Sequence, residues 1–165
     1  MYAAIGIALV FACTVFVNVR LPIAANGGLI HLGNVPLFII AVLYGRWLGA
    51  LAGGLGMALV DGVGGWFLWA PFALVIVGLM GYTVGAICEK TQSFMAYVLA
   101  LLAACTIKIV GYYRAEGIIY GNWIAPLVSV PGNLVQIGLA AGIVLPVVQR
   151  LKKHAVALSW AGSRR

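Results

Sequence analysis

Lys108, Tyr112 and Glu116 are spaced i, i+4 and i+8, so a helix through them places an amine, a phenol and a carboxylate along one face. Such a face offers donors and acceptors to a bound molecule. In an apolar segment Lys108 either donates to a ligand, pairs with Asp61 or Glu116, or runs its stem to the membrane interface. Asn133 and Gln136 lie three apart and are helical neighbours. Amides in an apolar helix need partners, supplied by a ligand with donors and acceptors or by a neighbouring helix. His31 and Asn34 bracket the start of another apolar segment and read as ligand contacts or loop caps. With no cysteine or carboxylate cluster beside it, His31 makes a poor metal ligand. Asp61 closes an apolar run and is followed by Gly62, Gly64 and Gly65. Trp66, Trp69 and Trp123 offer stacking surfaces and Asn26 a further hydrogen-bonding group, although Trp and Tyr also form the interfacial belt of membrane proteins.

These residue types bind; they do not make a catalytic centre. The chain has no GxxxxGK[ST] phosphate loop, no Ser/His/Asp arrangement and no HExxH, so neither an enzyme activity nor ATP hydrolysis is expected. The Gly53-Gly54-x-Gly56 cluster lies inside an apolar run and reads as packing. No cofactor and no metal is expected.

The elements that position these groups must cross a membrane. Of 165 residues, 64% are hydrophobic and 8% are charged, a surface no soluble domain of this size tolerates. The expected fold is an all-α integral membrane protein, a compact bundle of six transmembrane helices. The segments are Tyr2–Val19, Val35–Tyr44, Trp47–Val60, Pro71–Cys88, Phe94–Tyr113 and Pro131–Gln149. The second and third are shorter than the ~20 residues of a full span, so they are tilted, continuous across Gly45-Arg46, or partly embedded. Lys108 then lies about six residues, or ~9 Å, from the outer end of its helix. The net charge is +7. With both termini cytoplasmic, Arg46, Lys90, Arg150, Lys152, Lys153, Arg164 and Arg165 fall inside, leaving Arg20 and Arg114 outside, as the positive-inside bias requires. Residues 1–150 form one membrane domain and 151–165 a basic cytoplasmic tail. That tail is a topology signal, and no nucleic-acid partner is expected. Cys13, Cys88 and Cys105 show no CxxC spacing and no disulfide framework. The first segment reads as a span and not as a signal peptide, which places the chain as a multi-pass protein of the plasma membrane, with the lipid bilayer as its surroundings.

Gly45, Gly49 and Gly53 repeat at i+4 and make a smooth stripe on which a second helix can lie closely. Ala4, Ala8 and Ala12 make a flat face on the first helix, for another helix of the bundle or for a membrane partner. The connections Arg20–Asn34, Asp61–Ala70 and Arg114–Val130 are long, aromatic and polar and share the outer side; the inner connections are short. The Arg20–Asn34 loop is apolar enough to fold onto the bundle. A ligand site at the outer face follows. Pro71 and Pro131 sit where helices begin, and Pro146 is placed to kink the last one.

Taken together, Gly33-Asn34-Val35-Pro36, the Gly45/Gly49/Gly53 stripe, Asp61 and Ala70-Pro71 resemble the small six-helix S components of energy-coupling factor vitamin transporters, in the riboflavin-type branch. Ala4/Ala8/Ala12 looks like that family's small-residue face on the first helix. The resemblance implies an outer-face site for a vitamin or vitamin precursor, closed by the loops between helices one and two, three and four, and five and six. It also implies docking through the first helix on a transmembrane coupling subunit with two ATPase subunits, followed by toppling in the membrane to release substrate inside. The aromatic and amide groups suit a flat, neutral, nitrogen-containing ring, hydroxymethylpyrimidine or pyridoxine first and riboflavin second. A fixed anion such as folate or pantothenate would call for more arginine than Arg20 and Arg114. Two other readings are an autonomous oligomeric secondary transporter or channel, and a non-transporting membrane adaptor.

Overall fold

The computed structural model describes the backbone of residues 1–20 and 29–162, and side chains up to 151 apart from 19, 20 and 29. In chain order the elements are α1 (Tyr2–Phe16), β1 (Asn18–Arg20), β2 (Leu29–His31), α2 (Asn34–Tyr44), α3 (Arg46–Val63), α4 (Ala70–Lys90), α5 (Phe94–Tyr120), a 3-10 turn (Ala125–Val128) and α6 (Ser129–Gly162). Three stretches are long and apolar enough to cross a membrane: Ala70–Lys90, Phe94–Tyr120 and Ala125–Leu151. Tyr2–Phe16 and Asn34–Tyr44 are shorter apolar helices.

Several boundaries differ from expectation. α1 ends at Phe16, and Asn18–Arg20 instead pairs antiparallel with Leu29–His31, Asn18 opposite His31. Asn26, in the connection between them, lies outside the described residues. α2 and α3 are not continuous. Gly45, at φ 90°, adopts a backbone that a side chain resists and turns the chain back on itself. A Cβ at Gly49 would then lie 2.7 Å from Ala41 Cβ. α3 runs to Val63, so Asp61 and Gly62 are helical. α5 runs to Tyr120 and ends at Gly121, φ 63°, so Arg114 and Glu116 are helical as well. Glu116 stays in the helix because its carboxylate is satisfied inside the protein by Ser129. α6 starts at Ser129, with Pro131 in its first turn, and passes Pro146 without ending. It continues through residues 151–162.

The tightest packing is between α3 and α4. A Cβ at Gly53 would lie 2.8 Å from the Val77 carbonyl oxygen, and one at Gly54 2.7 Å from that of Leu74. A Cβ at Gly81 would run into the Gly49 carbonyl, and one at Gly85 into the Arg46 backbone. Glycines from both helices therefore bring backbone against backbone from Leu74 to Gly85, about three turns of α4, close enough that each added methyl would displace a main chain. α1 lies across α3 by its buried residues Gly6, Val10 and Thr14. A Cβ at Gly56 would lie 2.8 Å from Val10 Cβ. The opposite side of α1 leaves Ala4 and Ala8 exposed and Ala12 half-buried.

The ends of the bundle are distinct. At one end Tyr2 stacks on Tyr44, ring centroids 5.5 Å apart. There the Glu89 carboxylate accepts from the Arg46 backbone N–H at 2.8 Å and from its Nε at 2.6 Å. That carboxylate caps the start of α3 and ties the α2–α3 turn to the α4–α5 turn. The hairpin, the α3–α4 loop and the α5–α6 connection gather at the opposite end.

Candidate functional site

A polar cluster sits inside this apolar bundle, toward the hairpin end. α5 supplies its spine. The helix is unbroken for 27 residues, so Lys108 lies twelve residues inside Tyr120, about 18 Å along the axis and not ~9 Å. Lys108 is only 3% exposed, which leaves no path by which its ammonium reaches an interface. Its Nζ donates to Gln136 Oε1 at 2.7 Å and lies 5.8 Å from the Tyr112 ring centroid. Lys108 thus pairs with an amide of α6. The expected pairing with Asp61 or Glu116 does not form, because Ser129 Oγ holds Glu116 Oε2 at 2.8 Å and Asp61 stands at the end of α3. Both carboxylates remain within electrostatic reach of Tyr112.

The hairpin and α2 close the cluster from the other side. His31 and Asn34 are both buried, at 6% and 2% exposure. His31 Nδ1 accepts from the Gly33 backbone N–H at 3.2 Å. Gly33 is held against α1, where a Cβ would meet the Thr14 hydroxyl. Burial pushes the His31 imidazole down to about 3, and the neighbouring Lys108 charge adds to that shift. Asn34 Nδ2 is buried with no hydrogen-bond partner among the described residues. A bare amide donor in a protein interior is costly, and a ligand with an acceptor would satisfy it. β2 and α2 both pack on α6, the helix that carries Gln136.

The aromatic groups divide. Trp69 stacks on Tyr112 at 6.3 Å between ring centroids and lies 6.1 Å from Tyr120, so it covers the cluster. Trp123 instead lies against Tyr113, centroids 6.0 Å apart, and over Gly117, where its ring occupies the space a Cβ would need. Tyr113 Oη donates to the Trp123 carbonyl at 2.7 Å. Tyr113 and Gly117 are one residue out of phase with Tyr112 and Glu116, about 100° around the helix. Trp123 is therefore on the neighbouring face, 53% exposed, and Trp66 in the α3–α4 loop is 49% exposed. Asn133 is half-buried one turn before Gln136, and Asp61 is half-buried. The arrangement brings together His31, Asn34, Lys108, Tyr112, Gln136 and Trp69, with Asp61, Glu116 and Asn133 at its margin. Sequence reasoning missed Ser129 and Tyr120. Ser129 partners Glu116 across thirteen residues and an intervening turn, a separation with no periodic signature, and Tyr120 read as part of a loop.

The groups present are donors, amides and one stacking pair, enclosed by apolar helices. The family profile described as "ECF-type riboflavin transporter, S component" matches residues 1–153. A Pyrococcus woesei protein described as an uncharacterized protein in a gap 3' region is 35% identical over 103 residues, 62% of this chain and 69% of that protein. The thiamine precursor transporter HmpT of Lactococcus lactis subsp. cremoris is 27% identical over 127 residues, 75% of this chain and 72% of that protein.

Proposed function

Since the chain belongs to the ECF-type riboflavin transporter S component family, a family of membrane-embedded substrate-binding transporter subunits and not of enzymes, we propose that it captures a vitamin or vitamin precursor in the Lys108–Gln136 cluster. The observation that carries this reading is the enclosed polar core: a lysine, a histidine and two amides buried in an apolar bundle, with Asn34 Nδ2 lacking a partner among the described residues. Buried polar groups at membrane depth mark ligand paths by default. The ligand is a flat, neutral, nitrogen-containing ring of the hydroxymethylpyrimidine, pyridoxine or riboflavin kind, stacked on Trp69 and Tyr112 and hydrogen-bonded by His31, Asn34, Lys108 and Gln136.

S components generally work with a transmembrane coupling subunit and ATPase subunits. The proposal for this chain is six spans in the plasma membrane with both termini cytoplasmic, and docking on that coupling subunit through Ala4, Ala8 and Ala12. The exposed alanines support the docking surface, because the opposite face of α1 is already taken by α3. The test is purification without added ligand, native mass spectrometry for a retained small molecule, and tryptophan-fluorescence titration with the three ring classes. Saturable binding of one class is expected. Binding of folate or pantothenate alone, or of nothing, would refute the reading.

A further inference from the structure

The polar groups around Lys108 are unequally used, and the inequality specifies the ligand's edge. Two acceptors of the cluster are engaged within the protein. Gln136 Oε1 receives Lys108, and Glu116 Oε2 receives Ser129. The donors are in surplus. Lys108 Nζ carries three hydrogens and spends one on Gln136. Asn34 Nδ2 is buried and has no partner among the described residues. His31 Nδ1 accepts from the Gly33 N–H, so the neutral ring carries its hydrogen on Nε2 and offers a third donor. These groups come from α5, α2 and the hairpin. His31 is within electrostatic reach of Lys108, and both β2 and α2 pack on the helix that holds Gln136.

We propose that Asn34 Nδ2, His31 Nε2 and Lys108 Nζ form a donor face that selects heterocycles presenting ring carbonyl oxygens or unprotonated ring nitrogens. Resting on the vitamin-binding reading above, this narrows it. An exocyclic amino group turned toward this face would set N–H against N–H and leave buried donors unpaired, the situation that gives hydrogen-bonding sites their strongest discrimination. The two carbonyls of a flavin meet the demand directly. An aminopyrimidine meets it only through its ring nitrogens, with the amino group turned away.

The test uses the full chain in lipid nanodiscs. Riboflavin, 4-amino-5-hydroxymethyl-2-methylpyrimidine and the 4-oxo counterpart of that pyrimidine are titrated against the unaltered protein and against Asn34→Leu. Leucine keeps the branching and heavy-atom count of asparagine and removes the bare donor; the ligand-free melting temperature is recorded beside each titration, so that loss of fold is told apart from loss of the donor. The oxo pyrimidine is expected to bind at least tenfold tighter than the amino one, and Asn34→Leu to weaken every compound that binds by at least tenfold. Equal or tighter binding of the amino compound overturns the donor-face assignment, as does wild-type affinity in Asn34→Leu; either leaves vitamin binding itself standing. If none of the three compounds binds the unaltered protein, the donor face falls; if pyridoxine fails to bind as well, the vitamin-binding reading falls with it.

Discussion

Replacing Lys108 by methionine separates the two roles a buried lysine can have. If the ammonium is there for the ligand, the ligand-free protein carries it at a cost, since it is 3% exposed and the side chain it donates to, Gln136, is neutral. Charged groups in a bilayer interior are expensive even when they find polar partners. Methionine fills similar space without that charge, and the loss on the other side is one donor to Gln136 Oε1, about 1 kcal/mol. The ligand-free fold should therefore hold its stability or gain. Binding should move the opposite way. Loss of one charge-assisted hydrogen bond costs roughly 1.5–3 kcal/mol, about tenfold to a hundredfold or more in Kd. Fluorescence titration gives the affinity, because Trp69 and Tyr112 are stacked beside the lysine, and a melting curve without ligand gives the stability. The double variant Lys108→Met/Gln136→Leu removes both partners, which in a well-packed interior is close to neutral, and it should be more stable than Lys108→Met while binding no better. Unchanged affinity in Lys108→Met would refute the ligand role. So would a fall in melting temperature matching the fall in affinity, because the lysine would then be serving the fold.

Three further outcomes are expected. Ala8→Trp should leave the Kd of the isolated subunit within about twofold while abolishing uptake by the assembled transporter, since Ala8 is exposed and a bulky ring removes the close approach of a helix partner; a parallel loss of affinity would show that the alanines pack within the subunit. With the native cysteines replaced, Ile124→Cys should react with an impermeant thiol reagent on intact cells and Gln92→Cys only after permeabilisation; the reverse pattern would invert the proposed topology. The buried His31 imidazole stays neutral down to about pH 3, whereas a histidine released to water takes a proton near 6.5. Acid therefore favours release: the stabilisation is complete above pH 6.5 and declines below it, by about 2 kcal/mol at pH 5. Hydrogen exchange of the hairpin amides should accelerate over that interval and become insensitive to pH in His31→Phe.

The face formed by Lys108, Tyr112 and Glu116 was legible because helical period survives whatever surrounds the helix. Its depth was not legible. Arg114 and Glu116 gave the end of α5 the look of a polar loop, and the Ser129 partner that satisfies Glu116 inside the protein lies beyond the helix in sequence. The hairpin escaped for a different reason: two three-residue strands are too short for alternation to register, and Asn18 and Arg20 interrupt the apolar run. On α3 the stripe was legible at Gly49 and Gly53, while Gly45, expected on the same stripe, forms the α2–α3 turn at φ 90°; the counterpart on α4 carried the same i+4 signal, at Gly81 and Gly85, and went unread beside the stronger cluster. For the aromatic groups the end of the bundle was legible but the azimuth was not. Trp69 and Trp123 lie in loops of the same end, and only the path of each loop puts one over Tyr112 and the other over Tyr113.

The close contact between α3 and α4 also limits how this protein can move. Main-chain oxygens of Gly49, Leu74 and Val77 occupy the notches left by Gly81, Gly54 and Gly53. A slip of one helix past the other by a single residue, about 1.5 Å, would bring Ala52 against the Val77 oxygen or Leu55 against that of Leu74, and Met80 or Tyr82 against that of Gly49, so the pair has one register and no neighbouring one to step into. Such a pair transmits displacement without absorbing it. Any rearrangement that admits a ligand must therefore be taken up where chain is held by side chains and short turns: the β1–β2 hairpin, the loop from Gly64 to Trp69, and the 3-10 turn before α6. Two interlocked helices serve as a keel, and the outer segments move against it.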